Sequence, residues 1–126
     1  MGVYPEHLQR VLRLAPEVMC EAATLEEAKK QCVAAAPGSA QEQAAFNRWV
    51  EFCSTTNEIQ GAYYDDLTWC VDKRAAFEKW NAVSMSQVKD ADTVEKAKIA
   101  FASSPPSSEA QDAALIKSWE LYQKEN

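Results

Sequence analysis

The sequence predicts an all-α protein, an antiparallel bundle of helices joined by short loops, and three observations predict it. Only 3 glycines and 5 prolines punctuate 126 residues, while Ala, Glu, Lys and Gln, strong helix formers, are abundant. Apolar residues recur at helical spacing, as in Ala45, Phe46, Trp49 and Val50, and no stretch alternates apolar with polar as a half-buried strand would. Hydroxyl residues stand just before these runs, where a helix start needs acceptors for its free N–H groups.

Taken in order, the first helix is expected near 5–21. Its HLQRVLRLA carries His7, Arg10 and Arg13 with no acid between them. That segment faintly resembles the basic face of a mitochondrial import sequence, although such signals are longer and Ser-rich. Glu6 stands where a myristoylation signal would want Ser or Thr. A second helix is expected over 24–35. Thr24 caps it, Glu27 completes an S/T-x-x-E capping box, and Glu26 and Glu27 complement the positive helix end. Ser39 and Glu42 repeat the signature for a helix over 39–55, and another follows over 58–70. Ala76, Phe77, Trp80 and Val83 define a helix over 72–84, with Ser84-Met85-Ser86 as the break that ends it. Thr93 opens 93–103. Ser108 with Gln111 opens 108–124, whose apolar positions are Ala114, Leu115, Trp119 and Tyr122.

The chain also repeats itself. TLEEAK at 24–29 returns as TVEKAK at 93–98, 69 positions on. Each copy runs into small residues, a proline break (Pro37; Pro105-Pro106), a serine and a helix ending in tryptophan. One inserted residue aligns Trp49 with Trp119 and Phe52 with Tyr122. AAFEKW at 75–80 echoes AAFNRW at 44–49. The spacing of the echoes is irregular, so a partial duplication within one bundle, 105–126 repeating part of 24–57, is expected rather than a solenoid.

Composition excludes several functions. With 47% hydrophobic and 25% charged residues the chain reads as globular. A net charge of −6, with no basic run longer than Lys29-Lys30 or Lys73-Arg74, argues against nucleic acid. No apolar run approaches the roughly 20 residues of a membrane helix. Cys20, Cys32, Cys53 and Cys70 fit no Cys-x-x-Cys pattern, and with a single histidine, His7, no metal site is expected. The cysteines read as small core residues in a reducing compartment. Tyr63-Tyr64-Asp65-Asp66 reads as a solvent-facing turn, since adjacent acids on a helix point apart. With no Gly-rich phosphate loop and no Ser/His/Asp constellation, catalytic residues are expected to be absent.

The stretch Lys73-Arg74-Ala75-Ala76-Phe77-Glu78-Lys79-Trp80-Asn81-Ala82-Val83, then Met85-Ser86, resembles the third helix of acyl-CoA-binding proteins. That family runs a basic segment into aromatic-x-x-Trp-Asn, then a Ser or Thr cap opening the last helix. Pro37, Ser39, Trp49, Phe52 and Cys53-Ser54-Thr55-Thr56 match its upstream elements, and Thr93-Val94-Glu95-Lys96-Ala97 its closing helix. The likeness spans about 18–101 and implies an acyl-CoA-binding-like bundle, here with extra N- and C-terminal helices in one domain over 1–126. It implies ligand residues at Trp49, Phe52, Lys73, Arg74, Phe77 and Trp80. The family's phenols at the first two are replaced by Trp49 and Phe52, its adjoining lysine by Cys53, and another lysine by Ala76. Each lost charge-assisted phosphate contact is worth roughly 1.5–3 kcal/mol, so the resemblance implies a fold that has outlived its site.

The expected function is that of a non-enzymatic accessory subunit of a larger protein assembly, with a mitochondrial membrane complex as the candidate and the cytoplasm as the other compartment, needing no cofactor. Leu8, Val11, Leu12, Leu14, Leu115, Trp119 and Tyr122 are its expected partner contacts. The alternative is an acyl-CoA carrier with an altered headgroup site, and a third reading is a helical-hairpin adaptor for a peptide. Trp49, Trp80, Trp119, Phe46, Phe77 and Phe101 could line an acyl groove, but at helical spacing they are expected in the core. Lys73-Arg74 could meet a phosphate at a helix start, but a solvated first turn is expected.

Overall fold

The computed structural model describes residues 19–125. His7, Leu8, Val11, Leu12 and Leu14, and most of the helix expected at 5–21, lie outside the described residues; 19–21, which should have ended it, are not helical. Among the described residues there are six α-helices and no strand, and the chain divides into two compact units between Lys73 and Arg74.

In the first unit α1 (Leu25–Ala34) and α2 (Ala40–Phe52) form a hairpin. Thr24 Oγ1 accepts from the Glu27 N–H at 3.1 Å, and the Glu27 carboxylate turns back to accept from the Ala23 N–H at 3.1 Å. Ser39 Oγ accepts from the Glu42 N–H at 3.1 Å, and buried Glu42 accepts from the Gly38 N–H at 2.7 Å. In both, the carboxylate serves the residue before the cap rather than the cap itself. Gly38, at φ 78°, takes the left-handed conformation that a Cβ makes costly.

α3 (Thr56–Tyr63) packs against α2 and opens earlier than expected, behind a complete capping box. Thr55 Oγ1 accepts from the Glu58 N–H at 3.1 Å, while Glu58 Oε1 accepts from the N–H groups of Ser54 at 2.8 Å and Thr55 at 3.2 Å. The expected helix to residue 70 stops at Tyr63, because Asp65 Oδ1 accepts from the Leu67 N–H at 2.9 Å and turns the chain into a 3-10 turn, Asp66–Thr68, lying against α1. The returning strand of chain is tied to α2 by Gln43, whose amide donates to the Asp72 carbonyl at 2.9 Å and accepts from its N–H at 2.7 Å.

The second unit holds α4 (Arg74–Asp90), α5 (Val94–Ser103) and α6 (Glu109–Glu125), with α5 and α6 paired and α4 packed on both. α4 runs straight through Ser84-Met85-Ser86, where a break was expected. The reason is periodicity: Ala76, Trp80, Ser84 and Val88 form one buried row four residues apart, in which Ser84 acts as a small apolar residue. Its hydroxyl is buried with no hydrogen-bond partner among the described residues. Trp80 Nε1 donates to the Ser103 carbonyl at 2.6 Å, at the end of α5, and Asn81 Oδ1 accepts from the Ala110 N–H at 3.0 Å, at the start of α6. The Trp-Asn pair thus satisfies backbone groups that helix ends leave open.

The two hairpins match at a constant offset of 69 (Thr24 to Thr93) without any inserted residue. Thr93 Oγ1 accepts from the Lys96 N–H, Ser108 Oγ from the Gln111 N–H, and Gln111 Oε1 from the Ser107 N–H, as their counterparts do. Ser107, at φ 57°, occupies the left-handed place of Gly38. Ala28 with Ala97, and Ala45 with Ala114, are buried pairs. The inserted residue of the sequence reading is therefore corrected: Trp49 matches Ser118, while Trp119 matches Val50 and Tyr122 matches Cys53. The shorter echo does persist in packing, with Ala45 and Trp49, and Ala76 and Trp80, buried at the same spacing.

Candidate functional site

The α1–α2 hairpin buries a face that the α5–α6 hairpin exposes. Phe46, Val50 and Cys53 are 0%, 4% and 2% exposed, whereas Leu115, Trp119 and Tyr122, at the matching positions, are 58%, 60% and 52% exposed. Buried Cys32 likewise corresponds to exposed Phe101. In the first unit the chain that follows α2, with Ile59, Ala62 and Thr68 buried, packs on the hairpin. Among the described residues of the second unit nothing plays that part.

Helical geometry aligns Leu115, Trp119 and Tyr122 on one face of α6, with Ile116 beside them. The Trp119 and Tyr122 rings stack, centroids 5.9 Å apart and planes 13° from parallel. With Val94, Lys98 and Ser118 they line an open groove of about 530 Å³. Single exposed apolar residues are unremarkable on a protein surface; here Leu115, Ile116, Trp119 and Tyr122 stand together. Glu109, Asp112 and Glu120, all exposed, follow the helix along the Ile116 side of this patch.

Of the expected partner contacts, Leu115, Trp119 and Tyr122 therefore come together. Phe101 and Trp119, also expected in the core, are exposed instead. Val94, Lys98 and Ile116 are not among the contacts expected from the sequence, although Val94 and Lys98 stand four apart in their helix. Tyr64, Leu67 and Trp69 form a second outward apolar group near the 3-10 turn.

The residues of the acyl-CoA alternative fall differently. Trp49 and Trp80 are buried, Trp80 with its indole N–H engaged. Phe52 is half-buried beneath the Arg48 guanidinium, 4.7 Å from its ring, and Phe77 is half-buried. The Lys73 ammonium donates to the carbonyls of Tyr63 at 2.9 Å and Asp65 at 2.8 Å, closing the end of α3. Arg74 is exposed. Trp49, Phe52 and Lys73 belong to the first unit, and Arg74, Phe77 and Trp80 to the second.

The four cysteines are free thiols. Cys32 and Cys53 are buried as expected, but Cys20 and Cys70, both outside the helices, are only half-buried. Burial pushes the Cys32 thiol up to about 12, with Glu42 and Asp65 adding and Lys73 opposing, so it is held as the unreactive thiol. Among the described residues no group of His, Cys, Asp or Glu could hold a metal ion, and no helix is long and apolar enough to cross a membrane.

No family model matches the chain, and neither a curated protein nor a solved structure matches it.

Proposed function

We propose that this chain is a non-enzymatic accessory subunit of a larger protein assembly, joined to it through the apolar face of α6. The observation that carries this reading is the exposed row Leu115, Trp119 and Tyr122 over a groove, set against the burial of the same positions in the sister hairpin. Aromatic anchors of this kind carry most of the energy of protein interfaces, often about 2 kcal/mol or more each. On this reading the likeness to acyl-CoA-binding proteins is one of descent. Trp49 and Trp80 serve packing, and Lys73 caps a helix, which leaves few grips for an anionic cofactor.

The reading is tested on native gels of cells expressing the tagged chain. The wild type should comigrate with a larger complex, and Trp119→Asp, still helical by circular dichroism, should run free. A Trp119→Asp chain that stays in the complex would remove α6 as the contact. Saturable, submicromolar binding of palmitoyl-CoA by calorimetry would instead establish the carrier.

A further inference from the structure

We propose that the occupant of the α5–α6 groove is a short, basic, amphipathic helix of a partner protein; this rests on the docking reading above and specifies the chemistry of what docks. Two observations carry it, one of shape and one of charge.

The shape is given by the first unit. There the matching face is associated with a two-turn helix, α3, whose inward residues Ile59 and Ala62 are three apart, followed by a turn and a tether to Gln43. In the second unit the positions of Cys32, Val50 and Cys53 carry Phe101, Trp119 and Tyr122. Of these, the Trp119 and Tyr122 rings wall the groove, so an incoming helix meets them with aliphatic side chains at i, i+3 or i+4.

The charge comes from α6 itself. Glu109, Asp112 and Glu120 run beside the apolar row on its Ile116 side, as an acidic rim outside the groove's own lining, in which Lys98 is the one charged residue among the described residues. The position of Gln43, which both donates and accepts, is taken by Asp112, which when ionised only accepts. A partner there must bring donors. The whole chain, at −6, adds long-range attraction for a cationic segment and repulsion for an acidic one.

The probes are two synthetic helical peptides of about 14 residues. They share leucines at i, i+3, i+4 and i+7; one carries lysine and the other glutamate at the remaining positions. Titrated calorimetrically into the full chain, the lysine peptide should bind at least about tenfold tighter than the glutamate peptide, and Trp119→Ala should weaken it about tenfold or more. Asp112→Asn with Glu120→Gln, which leave the apolar row intact, should erase most of the preference, as should raising salt from about 0.05 M to about 0.3 M. Equal affinity for both peptides, or tighter binding of the acidic one, would overturn the basic occupant while leaving docking at Trp119 standing. Binding of neither peptide, or binding indifferent to Trp119→Ala, would overturn the inference outright. Concentration-dependent dimerisation abolished by Trp119→Ala would overturn it in favour of a second copy.

Discussion

In the α1–α2 hairpin, positions 46, 50 and 53 hold Phe, Val and Cys and are buried; in α5–α6 the matching positions hold Leu, Trp and Tyr and face solvent. Elsewhere the contrast reverses. Ala100, Pro105 and Ala110 are buried in the unit where α4 packs on the hairpin, and their counterparts Gln31, Ala36 and Gln41 are exposed. What stays constant is the joint: a threonine cap, a buried alanine in each helix, a left-handed residue, a serine cap and a Glu or Gln reaching back to the left-handed residue's N–H. The difference teaches that the joint and the two alanines are what the two hairpins hold in common. Which flank is covered is then decided separately, by the identity of about four outward positions.

That separation can be attacked first where it predicts most. Phe46→Ala removes a fully buried ring and should cost about 3–5 kcal/mol. Its counterpart Leu115→Ala, on an exposed position, should stay within about 0.5 kcal/mol. Urea unfolding of the intact chain measures both, and similar costs would mean that the two faces are equally enclosed.

A smaller effect sharpens the likeness of the joints. A Cβ at Gly38 would meet nothing within 4 Å, so its only cost there is the left-handed backbone. Gly38→Ser should therefore lose about 1 kcal/mol, and Ser107→Gly should gain about as much, read as opposite shifts in Tm. A Ser107→Gly that fails to stabilise would show that the second joint has another use for its hydroxyl.

The smallest effect concerns α3, which has no counterpart among the described residues of the second unit. The Glu58 carboxyl is held below its ordinary 4.5, first by the Ser54 N–H and hydroxyl and then by Thr55. A depressed folded pKa stabilises above the unfolded value, and the gain is lost as pH falls through the folded value. Melting followed at about pH 7 and about pH 3 should thus show a smaller acid-induced drop in Tm for Glu58→Gln than for the wild type. An unchanged drop would detach the capping box from acid sensitivity.

The described helices and most of their starts were legible because capping is local: Thr24, Ser39, Thr93 and Ser108 each stand at the N-cap they predict or directly satisfy the first turn. Thr55-x-x-Glu58 carried the same message and was overlooked beside the neighbouring hydroxyls. Ser84 misled for the opposite reason. Its chemistry favours turns, but its place in the row Ala76, Trp80, Ser84 and Val88 governs, and that row becomes visible only when the helix is extended past it. The repeat was read through its tryptophans, the loudest residues, when the register is set by Ala28, Ala45, Ala97 and Ala114. Large side chains can change flank between copies, while an alanine at a close helix contact has no such freedom. The α6 row was legible as periodicity, and its exposure was not, because periodicity marks an apolar face without saying what lies over it.

The indoles divide evenly. Trp49 and Trp80 lie inside their units, and Trp69 and Trp119 stand on the outside, one of each kind per unit. The native chain accordingly carries its own optical gauge, with two shielded emitters at shorter wavelength and two that acrylamide can reach. Whatever settles over α6 withdraws the Trp119 emitter from the quencher.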